Sequence, residues 1–159
     1  MKEFHSISHF IEHTLLMDAM VVLELHHGLK KCADAVEKTA KEEIGEYQGA
    51  TGQFPAWAQL AESTETEKSR LGYLTNAPLL RDGTLRDSIS NEVKALEAVI
   101  GSTSDIMVYQ EMGTAKIPPR PVLGPAAIRN KKKIQHILGE AVAEGLLYGS
   151  GINLLKLEK

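Results

Sequence analysis

The sequence predicts an α+β fold: a small antiparallel or mixed β-sheet packed by a long N-terminal helix and an amphipathic C-terminal helix. Three observations carry that expectation. Apolar residues recur at the spacing of one helix face from about Ile11 to Ile44, the stretch SISNEVKALEAVIGS offers two short apolar segments flanking a turn, and a second helical periodicity begins near Pro125. A chain of 159 residues with 43% hydrophobic content has the size and apolar fraction of one domain. We therefore expect a single domain over 1–159, with the long helix in 1–46, an α+β core in 47–148 and a tail in 149–159.

The first helix is marked by Ile11, Leu15, Val22, Leu25, Leu29 and Cys32, continued by Val36, Ala40 and Ile44 at steps of three, four or seven. Gly28 is a candidate bend. Asp34 with Lys38 and Glu37 with Lys41 place an acid four residues before a base, which favours helix on the polar face. At 1.5 Å per residue the helix would be about 50 Å long, which leaves part of it to protrude or to pack against another subunit.

The close-spaced Gly49, Gly52 and Pro55 of EYQGATGQFPAW mark a loop, and AQLAESTETEKSRLG follows as a short polar helix ending near Gly72. LTNAPLLRDGTL is a second loop with an Asp-Gly turn. Ile89 and Val93 then belong to one strand and Val99 and Ile100 to its partner, across a tight turn. DIMVYQEMG gives one or two helical turns closed by Gly113. The prolines of PPRPVLG exclude helix and predict extended chain, with a candidate edge strand over PVL. Pro125 suits the first turn of the last helix, whose apolar face carries Ile134, Ile137, Leu138, Ala141, Val142 and Gly145.

Charge and chemistry narrow the function classes. A formal charge of −3 and a pI near 6.1 argue against general affinity for nucleic acid, because backbone binding needs an excess of Lys and Arg. The single Cys32 cannot form an internal disulfide, so folding does not depend on an oxidising compartment. The most apolar stretch, LLMDAMVVLEL, is interrupted by Asp18 and Glu24, so neither a membrane span nor a signal segment is expected.

His5, His9 and His13 would share a helix face at a spacing able to hold zinc, but an exposed helix face accounts for them as well. No serine sits in a nucleophile elbow, and Cys32 on the apolar face reads as a buried thiol. Lys131, Lys132 and Lys133 point in consecutive directions around a helix, as on a solvated face. We expect no catalytic residue, no cofactor and no metal.

The strings PLLRDGTLRDSI (78–89), VIGS (99–102), YQEMGT (109–114) and IPPRPVLGPA (117–126) form an ordered series. Together they resemble the tail-completion or virion-morphogenesis family of tailed bacteriophages, which carries a "PLL-x-G-LR-SI" segment, a "VGS" strand, an "EFGT" turn and a "PPRPFLGPA" segment in that order. FPAWAQLAESTETEKSR, with Trp57 and Lys68, is similar to the part upstream. Met112 and Val122 stand where the family pattern has aromatic residues, and both keep an apolar side chain. The resemblance covers about two-thirds of the chain and leaves the N-terminal helix unmatched.

The resemblance implies a non-enzymatic structural protein of a phage or prophage particle, assembled in the host bacterial cytoplasm and placed in the neck or tail. It would form a homo-oligomeric ring, a hexamer matched to the six-fold tail, between the tail terminator or tail tube and the head-completion or adaptor proteins. DNA would pass nearby without specific binding. A tail terminator or assembly factor of the same pathway is the alternative, and a small phage hydrolase a more distant one. Arg81, Arg86, Glu111, Pro118, Pro119, Arg120 and Pro121 are the candidate assembly residues. Arg120, a planar fork of donors held between prolines, is expected either to pair with Glu111 or to cap backbone carbonyls.

Overall fold

The computed structural model describes residues 6–150. His5 of the histidine cluster and the predicted tail beyond residue 150 lie outside the described residues. The architecture is α+β. Helix α1 spans Ile7–Glu43, α2 Glu62–Arg70 and α3 Thr84–Asp87; strands β1 (Ile89–Lys94) and β2 (Glu97–Ser102) form a two-stranded hairpin; α4 spans Asp105–Met112 and α5 Leu123–Gly149.

Three boundaries depart from the sequence expectations, each for a local reason. Helix α2 starts at Glu62, because the carbonyls of Ala58 and Gln59 are turned toward Arg120 and the Leu60 amide is bonded to the Tyr47 hydroxyl. The loop read over LTNAPLLRDGTL contains the start of α3: Gly83 takes φ +92° and the Asp82 carboxylate accepts from both the amide and the hydroxyl of Thr84, nucleating one helical turn. No strand forms over Pro121–Leu123. The Val122 and Leu123 amides are bonded to the Glu111 carboxylate, and Leu123 already opens α5, with Pro125 in the first turn where no intrahelical donor is missed.

The contacts divide the chain into two compact units, and both long helices contribute residues to each. In the first unit (1–32, 93–98 and 132–159) the backbones of α1 and α5 approach closely. A Cβ at Gly145 would stand 2.5 Å from Val21 Cα, and one at Gly149 2.5 Å from Met17 Cα. Gly28 is used in the same way, against the side chain of Ala141, and α1 runs through it without interruption. Cys32 is buried here, as expected, with burial pushing its thiol pKa up. The hairpin turn is held by His26, whose Nδ1–H donates to the Ala95 carbonyl at 2.7 Å, where Ala95 takes a φ of +49° that non-glycine residues rarely adopt.

In the second unit (33–92 and 99–131) Val36, Ala40, Ile89, Met107, Val122 and Ala126 are among the buried apolar residues. Asn130 of α5 donates to Thr39 of α1 at 2.8 Å, and Arg129 reaches Glu43, Gln48 and Thr51. From β1, Asn91 donates to the carboxylates of Asp34 and Glu37.

Candidate functional site

The sequence-predicted residues are best followed along the segment from α4 to α5. Gly113 ends α4 with φ +73°, and a Cβ there would meet the Ile117 carbonyl and Pro119 at 3.0 Å, so the turn requires glycine. Thr114 closes that turn: its amide donates to the Ile117 carbonyl at 2.8 Å, and its hydroxyl accepts from the amides of Lys116 and Ile117. Pro118 and Pro119 then lie exposed, whereas Arg120 and Pro121 are buried.

Arg120 caps carbonyls. Its Nη2 donates to Ala58 at 3.0 Å and to Gln59 at 3.2 Å, its Nε donates to Ala58, and its own amide donates to the Gln110 carbonyl. The side chain is only 6% exposed, and burial lowers the guanidinium pKa from its ordinary value. Of the two roles open to Arg120, the pair with Glu111 is not formed. Glu111 serves the N-terminus of α5 instead, accepting from Val122 at 2.8 Å and Leu123 at 2.7 Å, where a carboxylate is favoured by the orphan amides and the helix dipole. Trp57 completes the brace by donating its indole N–H to the Pro121 carbonyl at 3.1 Å. Each of these bonds would be worth about 1–3 kcal/mol, the higher end for those with a charged partner.

The other two arginines stand apart from this brace. Arg81 stacks over the Tyr73 ring, 5.1 Å from its centroid, and shares a cleft of about 410 Å³ with Arg120 and Pro118. Arg86 pairs with the adjacent Asp87 at 3.2 Å and borders a separate groove with Asp34, Glu37 and Lys41. Lys131, Lys132 and Lys133 are exposed, as a solvated face requires.

Lys68, named in the sequence only as part of the upstream string and not among the candidate assembly residues, is a further functional candidate. It is buried at the C-terminal end of α2 and donates to the carbonyls of Ala77 and Leu80, with burial pulling its pKa down. Its partners lie in a loop bent by positive φ at Asn76 and Leu79, a geometry no local pattern announces. Among the described residues there is no group of three His, Cys, Asp or Glu able to hold a metal, and no helix is long and apolar enough to cross a membrane.

The arrangement can therefore brace a rigid segment and present donors to an acceptor. No protein-family model, curated protein or solved structure matches the chain.

Proposed function

We propose that the chain is a structural virion protein of a tailed phage or prophage, one that completes the tail and joins it to the head as a homo-oligomeric ring around the DNA channel, without enzymatic activity. The observation that carries this reading is the ordered series of motifs, together with what their residues do. The strings that resemble the phage family are bonded to one another: Trp57 and the carbonyls of Ala58 and Gln59 in FPAWAQL meet Pro121 and Arg120 in IPPRPVLGPA, and Glu111 of YQEMGT meets Val122 and Leu123. The exposed Pro118 and Pro119 are held ready-ordered by the brace, so little further entropy is lost when a neighbour docks on them.

Two further features support the reading. The net charge of −3 suits a channel wall that must let DNA pass. The first unit leaves large apolar side chains open on α1, including Ile7 at 80% and Leu15 at 62% exposure, which suits burial against further copies.

The test is to raise antibodies against the purified chain and assay intact particles of the phage or induced prophage, with electron microscopy of the purified protein. Detection at a fixed copy number per particle and rings in the micrographs are the expected results. Presence during assembly but absence from mature particles would favour an assembly factor instead, and absence at both stages would reject the virion reading.

A further inference from the structure

The cleft of about 410 Å³ in the second unit is built from α2, the 79–85 segment, α4 and the turn at 116–118. Its walls are aliphatic, with Leu60, Leu71, Leu79, Leu85, Ile106 and Ile117 among them. Its charge runs against that of the chain: Lys68, Arg81, Lys116 and Arg120 line it, with Glu67 as the acidic lining residue, whereas the whole chain carries −3.

Two of these cations are more than nine-tenths buried, Lys68 at 9% and Arg120 at 6% exposure. Both are hydrogen-bonded to carbonyl oxygens and neither forms an ion pair with a carboxylate among the described residues, although the charge of Glu65 is felt at Lys68. Each keeps donors in reserve. Lys68 gives bonds to two carbonyls out of three available protons, and the bonds of Arg120 come from Nε and Nη2, leaving the Nη1 edge. Buried cations hydrogen-bonded only to neutral carbonyls are costly, and burial lowers the pKa of both, for Lys68 against the opposing charge of Glu65.

An occupant matched to this lining supplies an acceptor carrying negative charge and aliphatic groups. A peptide segment with a Glu or Asp beside aliphatic residues offers both. The apolar surface also continues out of the cleft at Leu71 and at Ile106, which is 54% exposed, so the footprint exceeds a small molecule.

We propose that this cleft binds an acidic, aliphatic peptide segment of a partner protein. The Glu or Asp carboxylate of the segment meets Lys68 and Arg120, and its leucine-like side chains fill the walls. Arg81 and Lys116 draw the segment in. The proposal does not rest on the virion reading, since peptide binding is measured on the purified full chain and particle composition is measured separately.

The probe is the blocked octapeptide Ser-Gly-Leu-Glu-Ile-Leu-Gly-Ser, compared with its Gln counterpart and with octanoate, by calorimetry and by the methyl resonances of Leu79, Leu85 and Ile106. The Glu peptide should bind and shift those methyls, and the Gln peptide should bind at least about tenfold more weakly. Arg81→Glu and Lys116→Glu, both at exposed positions, should each weaken binding several-fold, Lys116→Glu with the thermal midpoint unchanged and Arg81→Glu with only the small loss expected from its contact with Tyr73. Lys68→Met should abolish it, and the two surface variants carry the test if that variant fails to fold. Equal binding of the Glu and Gln peptides, indifference to both surface reversals, displacement of the peptide by octanoate at equal affinity, or no peptide binding at all would overturn the proposal.

Discussion

Glu43 shows how burial and pairing compete at a single residue. Its Oε1 lies 2.5 Å from Arg129 Nη1, yet its Oε2 is buried without a partner. Arg129 is itself 32% exposed, so solvent dilutes its attraction, and burial wins: the carboxyl pKa is pushed from 4.5 up to about 7. The folded state then holds this proton more tightly than the unfolded chain. The stabilisation from it is complete below 4.5 and is lost as pH rises through about 7. Glu43→Gln should flatten the stability profile across that window, by roughly 2–4 kcal/mol relative to the parent, as read by denaturant titrations on either side of it. A parallel profile for the two proteins would mean that Arg129 keeps Glu43 ionised.

Among the elements, α5 offers a direct comparison of two glycines in one helix. Gly139 faces open space, with nothing within 4 Å of an added Cβ, whereas at Gly145 that atom would stand 2.5 Å from Val21 Cα. Helix propensity favours alanine at both positions by up to about 1 kcal/mol. Gly139→Ala should therefore raise the melting temperature, while Gly145→Ala should lower it, because a backbone atom cannot swing aside as a side chain can. Overpacking of this kind costs about 1–3 kcal/mol. Thermal unfolding of the two variants side by side decides the matter, and equal stabilisation in both would show that the helices can separate without loss.

Both long helices were legible, because a period of 3.6 over many residues is a strong signal. So was the hairpin, although its turn uses Ala95 at positive φ where glycine or asparagine would have announced it. The single turn of α3 was not legible, since it depends on one Asp82 side chain.

For the molecule as a whole, the open question is what covers the apolar side chains of α1 in the first unit. A ring protein should bury them against copies of itself. If the chain assembles as proposed, replacing Phe10 and Leu15, both exposed, by Ser should leave it monomeric without loss of helicity. Sedimentation together with circular dichroism would check both halves of that expectation. A parent protein that is monomeric at working concentration would remove this support for self-association.

The sequence by itself determined the α+β class, the two long helices, the hairpin, the buried Cys32 and the stiffness of the proline segment. These follow from periodicity, turn residues and ring closure, which act over a few neighbouring positions. Only the tertiary structure decided that Arg120 caps Ala58 and Gln59, that Glu111 serves α5, that Arg81 and Arg86 part company and that Lys68 lines the cleft. Arg120 and Ala58 are 62 residues apart in the chain. A charged side chain at that separation finds its partner through the packing of the intervening elements, and a buried cation donates to carbonyls as readily as to the carboxylate that lies nearest in sequence.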